Sequence, residues 1–162
     1  MIVYNVVRSG VTLSGTTPFL TIVPGANRSF LLVELDFEGM GNASAANEIG
    51  VYRVLAAGTG AATAITNTPQ AVDAPNMTGT TPALAFSGAA NASYATTQPT
   101  FTATAPIHNI GLNSNGQRYF WRANPNLNNA IVVPAIAANP GILFAPISGT
   151  GTISGRAQIA EF

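Results

Sequence analysis

The chain has 162 residues, no cysteine and no lysine, a single histidine, and six arginines against six carboxylates, so that only 7% of its residues are charged. That inventory excludes disulfide frameworks, thiolate nucleophiles and cysteine-held metal centres, and zero net charge argues against both a phosphate-binding surface and a charge-rich disordered chain. The length suits one domain with its own core, and so little charge leaves nothing to hold copies apart, so self-association is expected.

Sixteen glycines and eleven prolines are spread along the whole chain, and few windows of a dozen residues are left for a helix. Most windows instead alternate with period two or form short β-branched runs closed by Gly, Pro or Asn. The expected fold class is all-β, an antiparallel β-sandwich of jelly-roll type, with residues 1–162 as a single domain. Residues 2–8 form the first strand, followed by a Ser9-Gly10 turn and a short continuation at 11–13. Residues 19–23 form the next strand, and Pro24-Gly25-Ala26-Asn27 turns the chain. Over residues 28–38 the odd positions Leu31, Val33, Leu35 and Phe37 read as the core face, and Arg28, Glu34, Asp36 and Glu38 as the wet face. A strand at 50–56 precedes a loop-rich insert around 57–106, rich in Ala, Thr, Gly, Asn and Pro, with apolar patches at 83–86 and 94–104. A structureless insert of that length is improbable in a compact domain, so it is read as loops plus two edge strands.

Residues 107–113 then lead through Asn113-Ser114-Asn115-Gly116, read as a type I′ hairpin turn, into a strand at 117–123. There Tyr119 and Trp121 share the inward face, with Trp121 as core anchor, and Arg118, Phe120 and Arg122 share the outward one. Shorter strands follow at 130–133 and 141–147. In the closing strand Ile153, Ala157 and Ile159 face inward and Thr152, Ser154, Arg156 and Gln158 outward, which makes about eight to ten strands in all. The first residues carry no basic leader or signal-length apolar run, so export through a signal peptide is not expected. No apolar stretch approaches the roughly 20 residues of a bilayer-spanning helix, so no membrane partner is expected.

Chemistry is sparse. A nucleophile triad needs an imidazole beside a serine and a carboxylate, and His108, alone in a strand-like run, is read as structural or interfacial. One histidine cannot furnish a cupin-type metal set. Glu34, Asp36, Glu38, Glu48, Asp73 and Glu161 are the only candidates for a pair of acid-base carboxylates. The first three alternate along one strand face, about 7 Å apart, which makes a stripe that solvates the strand or meets arginines across a subunit boundary. With no lysine there is no phosphate loop, and Gly58-Thr59-Gly60 and Gly149-Thr150-Gly151 read as turns. Arg118 and Arg122 flanking Phe120 fit a protein interface better than base stacking. No catalytic residue, cofactor or metal is therefore assigned, nucleic acid is not expected as a partner, and Glu34, Asp36, Arg118, Phe120 and Arg122 are the candidate interface residues.

Three stretches carry a family resemblance: Thr17-Pro18-Phe19 through Asn27-Arg28-Ser29-Phe30-Leu31-Leu32-Val33-Glu34, then Ser44-Ala45-Ala46-Asn47-Glu48-Ile49-Gly50-Val51-Tyr52-Arg53, then Ile153-Ser154-Gly155-Arg156 through Glu161-Phe162. The run Gln117-Arg118-Tyr119-Phe120-Trp121-Arg122-Ala123-Asn124-Pro125 leading to Ile131-Val132-Val133-Pro134 fits the same pattern. Together they resemble the jelly-roll capsid decoration, or cement, proteins of tailed bacteriophages. The resemblance implies a homotrimer, made in the host cytoplasm, that binds the major capsid protein on the outer surface of the assembled virion and stabilises the lattice. The alternative is a glycan- or receptor-binding jelly-roll head of a phage tail or fibre, for which Tyr52, Tyr94 and Phe120 would be the exposed aromatics and a host-surface glycan the partner. A hydrolase built on Glu or Asp is the weakest reading.

Overall fold

The computed structural model describes residues 1–66, 69–72, 86–124, 126, 128–136 and 141–162. Two antiparallel sheets face one another across an apolar core, and the chain is all-β, an antiparallel β-sandwich. Sheet A contains β1 (Ile2–Thr12), β3 (Phe30–Gly39), β6 (Gln70–Ala71), β9 (Arg118–Arg122), β10 (Ile131–Val133) and β12 (Thr152–Glu161). Its order is β10-β3-β12-β1-β6, with β9 also paired to β3 beyond the end of β10. Sheet B contains β2 (Leu20–Val23), β4 (Ala46–Arg53), β5 (Ala62–Ala64), β7 (Ala89–Tyr94), β8 (His108–Asn113) and β11 (Ile142–Ser148), in the order β5-β7-β2-β11-β4-β8.

Alternation along the strands sends Tyr4, Phe30, Phe37, Phe144, Ile22, Ile49, Ile110 and Ile142 into the space between the sheets, where each is fully buried. Burial of such a side chain contributes roughly 1.5–3 kcal/mol. Sheet B is covered on its other face too: Tyr52, Val54, Leu143 and Ala145 form a second buried cluster under Phe101, whose ring lies 4.6 Å from that of Tyr52. Tyr52 is thus an inside residue, contrary to its reading as an exposed aromatic. It pairs with Leu143 on a face that the 95–106 loop has sealed.

Three further expectations change. In β3 the core residues are Phe30 and Leu32, then Leu35 and Phe37, while Leu31 and Val33 are only half-buried. The pairing with β12 slips between Gln158 and Ile159, which face Glu34 and Leu32, so Val33 is an extra residue and the parity of the strand inverts there. Ser9 and Gly10 make a bulge inside the continuous strand β1, not a turn, with Gly10 in the left-handed region at φ 62°. The 113–116 turn is not a hairpin: β8 pairs with β4 in sheet B and β9 with β3 in sheet A, so this turn carries the chain from one sheet to the other. Trp121 does face inward, yet it is half-buried at the rim of the core; the anchoring rings are those of Phe30, Phe37 and Phe144.

Within the insert, β5 and β6 are edge strands of the two sheets, and β7 lies inside sheet B beside β2. These strands bring the number among the described residues to twelve. Asp73 and the apolar residues 83–85 lie outside the described residues.

Candidate functional site

All five candidate interface residues come together on the outward face of sheet A, the one broad sheet surface that no loop among the described residues seals with a buried cluster. The pairing of β9 with β3 sets Arg122 opposite Glu34, Phe120 opposite Asp36 and Arg118 opposite Glu38. On the other side of β3, Arg156 of β12 stands opposite Asp36. The result is a ladder of five charges. Arg118 donates to Asp36 through both Nε and Nη2, each at 2.6 Å. Arg122 donates to Glu34 through Nε at 2.7 Å and through Nη2, and Arg156 Nη2 donates to the other oxygen of Glu34 while lying 3.6 Å from Asp36.

Burial is uneven along the ladder. The Glu34 side chain is 1% exposed, whereas those of Arg122 and Arg118 are 65% and 62% exposed. A carboxylate this deep persists only with its charge compensated, and two guanidiniums supply that compensation from within the chain. The hydrogen bond from Arg118 outweighs the opposing effect of burial and, with the positive charges of Arg118 and Arg156, holds the Asp36 carboxyl below the usual carboxylate range. Phe120 stands between the arginines, half in water, with the Arg122 guanidinium 5.6 Å from its ring centroid.

One end of the same face is apolar. Val132 of β10, Leu31 of β3, Ala160 of β12 and Val3 of β1 are mutual partners in a single row across four strands. The exposed Met1 adjoins it beside a depression of about 230 Å³ shared with Val33 and Arg122. Neither this row nor Arg156 was among the sequence candidates. Arg156 was visible as an outward residue of its strand, but nothing in the sequence says that β12 lies against β3.

The remaining singled-out residues sit elsewhere. His108 starts β8, and its Nε2 shares a hydrogen bond with the Tyr119 hydroxyl at 2.6 Å, tying sheet B to sheet A at one edge. The Trp121 ring is 4.9 Å away, and burial lowers the histidine pKa, so the imidazole is neutral near pH 7. Glu161 is buried at the far end of β12, where the Ser87 amide and hydroxyl donate to it and Arg28 lies 3.5 Å away. Glu48 accepts from Asn109 on sheet B. Among the described residues no three His, Cys, Asp or Glu side chains gather as a metal cluster would require.

Fold and surface together define a β-sandwich that presents one sheet face, part charge ladder and part apolar row. The chain matches no protein-family model, no curated protein and no solved structure.

Proposed function

We propose that this chain is a structural virion protein, a cement protein that sits as a homotrimer on the outer surface of an assembled tailed-phage capsid. The observation that carries the reading is the outward face of sheet A. It is broad, its charges are balanced within the chain, and an apolar row crosses one end of it beyond the charge ladder that holds Phe120. Such a face docks on protein at little desolvation cost, because its buried carboxylate needs no partner from outside.

Strand order supports the jelly-roll part of the reading. With β5, β6 and β7 set aside as an insertion, and β9 and β10 taken as one interrupted strand, sheet A runs β1-β12-β3-β9/β10 and sheet B runs β2-β11-β4-β8. Such an order is the one expected of eight strands in two Greek keys, which supports this part of the proposal. A trimer spanning capsid joints stabilises the lattice by mass action, since it binds only the assembled state.

The test is size-exclusion chromatography with light scattering over a wide dilution range, followed by co-sedimentation with undecorated phage heads. A mass of three 16.6 kDa chains that survives dilution is expected, and Val132→Asp should shift it toward one chain without unfolding. A monomer at every concentration, with no head binding, refutes the proposal.

A further inference from the structure

At the end of the sheet A face opposite the apolar row lies an open trough of about 590 Å³. Its floor is formed by Val7 and Gly155, with Met40 at one side. Its polar lining consists of Ser9, Asp36, Glu38, Arg118, Ser154 and Arg156. The volume falls within the roughly 300–1,000 Å³ typical of small-molecule sites, and six of its nine lining residues carry polar side chains set among apolar surface.

We infer that this trough binds an uncharged oligosaccharide. Charge decides the ligand class first. Asp36 and Glu38 cancel Arg118 and Arg156, so the trough has no surplus of either sign to attract a phosphate, a carboxylate or a cation. A neutral molecule bearing many hydroxyls uses such a lining fully, because each hydroxyl both donates and accepts. Glu38 makes no hydrogen bond or ion pair among the described residues, and Ser9 is exposed across β12 from it on the other side of the trough. Val7 and Met40 offer apolar surface for the C–H face of a sugar ring.

Preorganisation points the same way. Arg118 is clamped on Asp36 by two hydrogen bonds of 2.6 Å, Arg156 lies across Glu34 and Asp36, and Ser154 Oγ accepts from the Gly10 amide at 2.9 Å. A ligand therefore meets groups that are already ordered, and little side-chain entropy is lost on binding. A peptide is the poorer fit. Peptides that bind sheets pair with an open edge, and here the backbone groups beneath the trough are already taken up in the pairings of β1, β12 and β3. The inference does not depend on the capsid reading, since the trough lies at the other end of the face from the apolar row.

The experiment is a titration of the isotope-labelled full chain, followed by amide chemical shifts, with maltotriose, chitotriose, mannotriose and galactotriose. Sialyllactose and inorganic phosphate are the charged probes. Saturable shifts at Ser9, Glu38, Arg118 and Gly155 are expected with at least one neutral trisaccharide. Glu38→Gln and Ser9→Ala, both on exposed positions, should each weaken that binding about threefold or more while leaving Tm unchanged. The inference is overturned if no neutral trisaccharide shifts these amides at tens of millimolar, if only the charged probes do, or if both variants bind as the parent does.

Discussion

Gly155 lies in β12 directly opposite Phe37 of β3, and the side chain it lacks is what allows the phenylalanine ring to lie there. A Cβ built on Gly155 falls 2.6 Å from Phe37 Cγ and closer still to Cδ1 and Cε1, whereas ordinary contact begins at 3.4 Å. In Gly155→Ala the ring must therefore retreat by about 1 Å, within a core as tightly packed as protein interiors are. It has little room: Phe37 is 1% exposed and its ring centroid lies 5.8 Å from that of Phe144. Overpacking of this kind costs about 1–3 kcal/mol. Against it stands a gain of about 0.4–1 kcal/mol from the lost freedom of the unfolded chain, since the backbone here is not left-handed. The expected net loss is about 1–2 kcal/mol, or a Tm lowered by roughly 2–8 °C for a chain of this size. Denaturant titration of the parent, Gly155→Ala, Phe37→Leu and the double variant measures it. Beside the smaller leucine the alanine should cost less than about 0.5 kcal/mol, the difference being the coupling between the two sites. An unchanged or raised Tm in Gly155→Ala, or a full cost of the alanine that persists in the double variant, would show that the ring is not what the glycine accommodates.

The charge ladder makes an ordered set of expectations. Glu34→Ala leaves Arg122 and Arg156 facing an empty site, but both reach water, so the loss should be about 2 kcal/mol, below the 3–5 kcal/mol of a wholly buried broken pair. Arg122→Ala strips both donors from one oxygen of Glu34, but it opens that oxygen to water and leaves Arg156 on the other, so it should cost about 1–2 kcal/mol, and a loss well above that of Glu34→Ala in denaturant titrations would contradict this account. The folded pKa of His108 is depressed by burial, so its contribution is complete above the unfolded value near 6.5 and is lost as pH falls through the folded value. Tm should decline in that window for the parent and hold level there in His108→Gln, and a parent that gains stability on acidification would refute the neutral histidine. Asp36 follows the same sign lower down: its contribution is present above the unfolded value near 3.8 and fades as pH drops through the lower folded one, a loss that Asp36→Asn should remove from the acid limb of the Tm profile.

Local patterns told which residues face in wherever a strand ran without interruption. In β9 the split between Tyr119 and Trp121 on one side and Arg118, Phe120 and Arg122 on the other is as the alternation predicts, and the same holds for Ile153, Ala157 and Ile159 in β12. The pattern misled at bulges, because a single extra residue inverts parity. In β3 the run Phe30-Leu31-Leu32-Val33 is apolar throughout, so either parity looked acceptable until the slip at Val33 fixed it. Tyr52 misled for another reason: strands buried on both faces carry no alternation, and the loop that covers sheet B lies nearly fifty residues downstream. The five interface candidates did meet, and the acidic stripe did find arginines, although within the chain. Which strand neighbours β3 is a matter of long-range pairing, and that put Arg156 and the row from Val132 to Val3 beyond local reading.

The place of β12 between β1 and β3 has a consequence for synthesis. Both neighbours leave the ribosome more than a hundred residues before it, and until residues 152–161 emerge they cannot be joined. During that interval each presents an open edge, a template for pairing with other chains. Contacts so distant in sequence also close slowly. The apolar row and the charge ladder both draw residues from β12, Ala160 in one and Arg156 in the other, so neither surface exists before the sheet is joined. Each of these surfaces is thus completed by one pairing event, the entry of β12 between two strands made long before it.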